Sequence, residues 1–202
     1  QTVGTAKRLG LQVLSHAHLG YGGNLKFALQ KAVEVGAEYI VEIHGDNQYD
    51  PAAIITAATK INEGADLIIG SRFTKSGHPL KGGMPFIKYL ANRCLSFFDK
   101  IVLGVKLSEF HSGFRVYSRR LLQSVPYQTN SDDYLFSFQI IAQAAFYNLK
   151  IAEVPAVCDY HREKSSIDLV SSTIYAVQTM LILACFLLAK AVNRKSFAVI
   201  KF

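Results

Sequence analysis

Cysteine is scarce in this sequence. The 3 cysteines among 202 residues, Cys94, Cys158 and Cys185, are widely spread and have no CxxC spacing. An odd, dispersed set makes neither a disulfide framework nor a zinc site, and it suggests a reducing compartment. Acidic residues are nearly missing from one stretch. Between Ser71 and Arg120, ten Lys and Arg face only Asp99 and Glu109, an excess of eight in a chain whose formal net charge is +7. Such a block suits phosphate-rich ligands, an anionic membrane surface or nucleic acid, and the plainest alternative is a solvated face. Apolar helix interrupts the block, so it forms no nucleic-acid reading module. Internal repeats, low-complexity tracts and a Rossmann or Walker glycine fingerprint are all lacking. Neither a signal peptide nor a methionine opens the chain, and residues 1–10 read as the inside of a helix, so a segment upstream is expected.

What is present is apolar and alternating. Half of the residues are hydrophobic, enough for one substantial core. Strand-like runs at 11–15, 39–44 and 66–70 alternate with helical runs at 24–35 and 51–63. That rhythm predicts βαβ units and an α/β fold with a mainly parallel sheet and flanking helices. Beyond a glycine-rich loop at 76–83 follow a helix over 85–103, a strand or turn at 114–117, a helix over 134–147 and a strand at 150–154.

The sharpest local signal is His44-Gly45-Asp46-Asn47-Gln48-Tyr49-Asp50-Pro51, where a strand ends and a helix begins. Ligands of open α/β sheets bind at the carboxyl ends of strands. If the backbone stays extended to Gln48, side chains 44, 46 and 48 project to one side. Imidazole, carboxylate and amide oxygen then face one divalent cation. The alternative is an Asx-type turn, with Asp50 near the cap of the next helix, and spacing alone leaves the two equal.

This segment resembles the D-x-D-x-Q-x-D-P region of family-2 glycosyltransferases, especially those like dolichol-phosphate mannosyltransferase. The likeness continues through Gly70-Ser71-Arg72-Phe73, through Lys81-Gly82-Gly83-Met84-Pro85 with Lys88, Asn92 and Arg93, and through His111-Ser112-Gly113-Phe114-Arg115 and Glu153-Val154-Pro155. It implies a GT-A fold over residues 1–167, lacking its first strand or strands. It also implies transfer of a hexose, with inversion, from a nucleotide-diphosphate sugar to a polyprenyl or dolichyl phosphate, with Mn²⁺ or Mg²⁺ as cofactor.

By that resemblance His44, Asp46 and Gln48 hold the metal and the diphosphate. Asp46 is the central ligand, and His44 stands where the family has its first Asp. Arg72, Lys88, Asn92 and Ser112 match positions that grip the acceptor phosphate, and Gly113 belongs to the same tight turn. Gly22 and Gly23 match the glycine-rich turn near the nucleotide, and Arg162 and Lys164 match a segment that closes over the diphosphate. The family's F-D-x-E pattern has lost both acids in Phe136-Ser137-Phe138-Gln139, leaving Asp132 and Asp133 as fallback bases. A phosphate acceptor is already anionic and needs no base, which favours a lipid phosphate. His18 and His78 read as ordinary loop residues. The rival readings are a catalytically inactive, membrane-associated scaffold and, further off, a sugar nucleotidyltransferase.

The last part, 168–202, differs in kind. From Leu169 to Ala189, 21 positions pass without a charge, and Lys190, Arg194 and Lys195 follow. That length can span a bilayer, with the basic end in the cytoplasm. A helix lying on the membrane, a core helix and a dimer helix remain equal alternatives, so the chain is expected either on the cytoplasmic side of a membrane or in the cytoplasm.

Overall fold

The computed structural model describes residues 2–74, 79–160 and 169–192. In chain order these form α1 (Thr2–Arg8), α2 (Gly20–Glu34), β1 (Tyr39–Glu42), α3 (Ala53–Asn62), β2 (Leu67–Ser71), α4 (Phe86–Leu103), β3 (Arg115–Ser118), α5 (Arg119–Ser124), a 3₁₀ turn at Tyr127–Thr129, α6 (Phe136–Phe146), β4 (Ile151–Pro155) and α7 (Leu169–Ala191).

The four strands make one sheet in the order β1-β3-β2-β4. β4 runs parallel to β2, and β3 runs antiparallel to both of its neighbours. Three strands therefore share one direction, as the alternation predicts, and β3 opposes them. Its direction is set by the route of the 104–114 loop, which apolar patterning does not encode.

Side chains alternate across the sheet and divide the core in two. Leu67, Ile69 and Tyr117 face α2, α6 and α7. Ile68, Val116 and Val154 face α3, where Ala53 and Ala57 let the helix sit close. The result is an α/β/α sandwich. The central strands β2 and β3 are buried at every position. α6 is buried almost all round, in keeping with its lack of charge.

Local chemistry sets the boundaries. α4 ends at Gly104, which takes φ 68 and terminates the helix in the left-handed region at no steric cost. Ser118 caps α5 by accepting from the Leu121 N–H. The expected strand at 11–15 does not form. Those residues are irregular and mostly exposed, and no strand among the described residues lies beside them to complete their hydrogen bonds.

The C-terminal segment is not a separate appendage. Ile182, Leu183, Phe186 and Ala189 of α7 are buried in the same core as α6. Its other side exposes Val170, Ile174, Val177, Leu181 and Leu188. Val170–Ala191 is long and apolar enough to cross a membrane, and most of it is not buried within the fold.

Candidate functional site

The site begins where β1 stops. Glu42 is its last residue; the chain then leaves the sheet through Ile43 and His44 and turns at Gly45-Asp46. The backbone does not stay extended to Gln48. Asn47 takes φ 57, and Asp46 Oδ1 accepts from the Gln48 N–H at 3.0 Å, which is an Asx turn. The turn still brings His44 and Asp46 together. His44 Nδ1 stands 3.9 Å from Asp46 Oδ2, and the two side chains are 30% and 31% exposed. Turn and side-chain pair are thus one structure, since the oxygen not used in the turn is the one beside the imidazole. The Gln48 backbone belongs to the turn as well, its N–H donating to Asp46 and its carbonyl accepting from the Asp159 N–H. Asp50 accepts from the Ala52 N–H at the start of α3, the capping role open to it from sequence.

His44 is held from below by a network that sequence reasoning missed. Its Nε2 lies 3.3 Å from Glu42 Oε1 and 3.2 Å from the Tyr21 hydroxyl. Glu42 is buried and also accepts from Tyr21 (2.6 Å) and Tyr117 (2.5 Å). Burial alone would raise the Glu42 pKa. The bond from His44, the nearby Arg115 charge and the two phenols outweigh it and hold the carboxyl below the usual range. A lone Glu within Tyr39-Ile40-Val41-Glu42-Ile43 was the signal for it, because an acid inside an apolar strand needs partners.

Gly113 closes the side of the imidazole. A Cβ there would come within 2.5 Å of His44 Cε1. Its N–H donates to the Tyr49 hydroxyl at 2.8 Å, and burial pushes that phenol up to about 12.

The same 111–113 turn reaches the cationic corner. Arg72 donates to the His111 carbonyl at 3.3 Å, and its Nε and backbone N–H both bond to Glu109, with a further close contact from Nη2. Burial works against the guanidinium charge, but Glu109 prevails and holds its pKa well above the ordinary value. Arg72 also bonds to the Tyr160 hydroxyl, and Lys88 Nζ lies over the Tyr160 ring, 5.2 Å from its centre. Desolvation, and then the Arg72 charge, lower the Lys88 pKa. Asn92 donates back to the Lys88 carbonyl one helical turn earlier. Ser112, next to His111 in the turn, is buried, its hydroxyl without a hydrogen-bond partner among the described residues. Glu153 clamps this region by accepting from the Ser108 and Glu109 N–H groups.

The remaining expectations divide. Gly22 and Gly23 both donate their N–H groups to the Asp132 carbonyl, and a Cβ on Gly22 would collide with the 131–133 backbone and Phe136. They are packing glycines inside the first turn of α2, which begins four residues earlier than expected, and a diphosphate contact through those N–H groups does not fit. Asp133 accepts from Ser131 and the Leu135 N–H, and Asp132 pairs with Lys26. Ser137 and Gln139 are buried; Ser137 links Arg115 to Tyr21, and Gln139 accepts from the Ser131 N–H. Arg162, Lys164 and His78 lie outside the described residues. His18 lies in the irregular segment before α2.

No cluster of three His, Cys, Asp or Glu occurs among the described residues, and the His44–Asp46 pair is the imidazole and carboxylate that the turn brings together. An imidazole nitrogen and a carboxylate oxygen converge at a partly open turn, a donor set suited to a divalent metal.

The family model for glycosyl transferase family 2 matches residues 1–125, and the chain belongs to that family. It is 31% identical over 137 residues to a UDP-N-acetylglucosamine–dolichyl-phosphate N-acetylglucosaminyltransferase of Methanococcus voltae, covering 67% of this chain and 54% of that protein. It is 25% identical to a polyprenol monophosphomannose synthase of Mycolicibacterium smegmatis, over 59% of this chain and 45% of the relative. The chain thus spans about half the length of these relatives. Among solved structures, glucosyl-3-phosphoglycerate synthase from Mycobacterium tuberculosis superposes with a TM-score of 0.60 at 20% identity, covering 92% of this chain and 64% of that one. The same enzyme in complex with Mn²⁺, UDP and glucosyl-3-phosphoglycerate gives 0.58 at 17% identity, with the same coverage. At such identities the likeness speaks for the fold alone, and that fold is GT-A.

Proposed function

We propose that this chain carries the transfer site of a glycosyltransferase that moves a hexose from a nucleotide-diphosphate sugar to a polyprenyl or dolichyl phosphate, with inversion. The observation that carries the reading is the 111–113 turn. Gly113 lies against the His44 imidazole, and the His111 carbonyl accepts from Arg72, so an anion-binding corner adjoins a metal-binding one.

His44 and Asp46 hold the cation, and the imidazole favours Mn²⁺ over Mg²⁺. When bound, the metal neutralises charge on the departing diphosphate. Arg72, Lys88, Asn92 and Ser112 position the acceptor phosphate. One of its oxygens attacks the anomeric carbon in line, the bond from that carbon to the β-phosphate oxygen breaks, and nucleoside diphosphate leaves. A phosphate nucleophile is already anionic, so positioning replaces base catalysis. The internal bonds of Ser137, Gln139 and Asp133 are consistent with a site that needs no base. Relatives named for dolichyl- and polyprenyl-phosphate substrates support the choice of acceptor.

An acceptor of this kind lives in a bilayer. α7 exposes an apolar side, and α4, which packs against it, exposes Phe86, Ile87, Leu90, Phe97 and Ile101. Together they suit the cytoplasmic surface of a membrane.

The test is nucleoside diphosphate release with Mn²⁺ or Mg²⁺ over a panel of nucleotide sugars, with and without polyprenyl phosphate, beside Asp46→Ala. Release that requires lipid and vanishes in the variant supports the transferase. Release indifferent to both, or none with any donor, replaces it with an inactive scaffold.

A further inference from the structure

The hydrogen bonds beneath His44 fix the direction of every proton in the chain that ends there. Arg115 has only N–H groups to offer, so Nη1 donates to Ser137 Oγ at 2.6 Å. Ser137 then donates its single proton to the Tyr21 oxygen at 3.4 Å, and Tyr21 donates its own to Glu42 Oε1 at 2.6 Å. Tyr117 donates to the other carboxylate oxygen. His44 Nε2 therefore faces two acceptors, Glu42 Oε1 and a Tyr21 oxygen whose proton is already used. Only an Nε2–H satisfies both. In the neutral ring that leaves the lone pair on Nδ1, the nitrogen that faces Asp46 Oδ2.

We propose that buried Glu42 is a positioning residue that locks His44 in its Nε2–H tautomer, so that Nδ1 and the Asp46 carboxylate together form the protein's half of a divalent-cation site. The inference rests on the metal role given to His44 and Asp46 above and adds the group that makes it work. Without an acceptor below, the ring would be free to exchange tautomers or rotate, and a carboxylate on the remote nitrogen also makes the ligating one a better donor. Gly113 completes the arrangement, since its missing side chain leaves room for the ring in this position. The arrangement also explains why a buried acid stands at the end of β1, where an apolar residue would pack as well.

Two measurements test it without relying on turnover. The first is nitrogen NMR of the imidazoles of the metal-free protein, which needs no variant beyond His44→Asp for assignment. The expected result is a protonated, pyrrole-like Nε2 and an unprotonated, pyridine-like Nδ1 for His44, and the reverse pattern overturns the proposal. The second is Mn²⁺ alone, followed by electron paramagnetic resonance. Wild type should show imidazole-nitrogen coupling that disappears in His44→Asp. Glu42→Ala should lose the coupling and bind Mn²⁺ about 10- to 100-fold more weakly, whereas Glu42→Gln, whose amide oxygen still accepts from Nε2–H, should keep the coupling with a smaller loss. Coupling and affinity unchanged in Glu42→Ala would overturn the role of Glu42 while leaving the metal site intact. Mn²⁺ binding indifferent to Asp46→Ala would overturn the metal site itself, and this inference with it.

Discussion

Asp99 of α4 and His111, on the turn that enters β3, are buried against one another with Oδ2 2.9 Å from Nε2. The other ring nitrogen, Nδ1, bonds to the Tyr175 hydroxyl of α7 at 3.0 Å. One imidazole thus ties together the two helices with exposed apolar sides and the turn that lies between His44 and Arg72.

The pair gives the fold a pH signature. Burial raises the Asp99 pKa, and the bond and charge of His111 only partly oppose this. An acid whose folded pKa is raised favours folding below its ordinary pKa of 3.8, and that advantage is lost as pH climbs through the folded value. Asp99→Asn should remove this decline, so the difference in urea midpoint between wild type and variant should move in the variant's favour as pH rises from about 4 toward neutrality. A constant difference across that range would mean that Asp99 titrates normally.

Arg72 and Glu109 make a second prediction. Both are buried, and removing one partner strands the other's charge. Glu109→Ala should cost about 3–5 kcal/mol, whereas Arg72→Met combined with Glu109→Leu should recover most of that stability. Chemical denaturation of these two variants beside wild type checks it. Under the proposed function the double variant folds yet has no lipid-dependent release, which separates the pair's structural role from its phosphate role.

Lys88 supplies a test in the alkaline range. Its pKa is lowered from 10.5 by desolvation and by Arg72. Lipid-dependent release should therefore fall at a lower pH than an ordinary lysine would dictate, as the ammonium loses its proton. Lys88→Arg keeps its charge there, so its alkaline limb should move upward even if its rate near neutrality is reduced. Superimposable limbs would show that Lys88 does not carry the acceptor.

Much of this was written in local sequence. The β2 run is short and largely apolar, and it lies at the buried centre of the sheet. His44 and Asp46 stood out because strand ends are where ligands sit, and the structure brings them together. The backbone does not stay extended to Gln48, because Asn47 takes a positive φ that no periodicity announces. The beginning of α2 was misplaced since Gly20-Tyr21-Gly22-Gly23 reads as a loop, whereas those glycines admit close contact with 131–133, more than a hundred residues away. Distance in sequence also hid the acids. Glu42 finds Tyr117, Glu109 finds Arg72, and Glu153 finds Ser108 only after folding. A lone Glu in an apolar run signals that such partners exist without saying where.

Gly113 allows the support of His44 to be separated from general stability. Its added Cβ would meet a ring that is about a third exposed, so the imidazole has room to move away, and Gly113→Ala should cost only about 1–3 kcal/mol. Gly70 is the control. A Cβ there meets Ala156 and Phe114 inside the core at 2.7–2.9 Å, with no mobile neighbour to yield, so Gly70→Ala should destabilise more. The expected pattern is opposite in the two assays: Gly113→Ala keeps most of its thermal stability but weakens Mn²⁺ binding, and Gly70→Ala loses stability while its folded fraction binds Mn²⁺ as wild type does. If Gly113→Ala binds Mn²⁺ normally, the ring tolerates displacement and the close contact at Gly113 is a matter of packing alone.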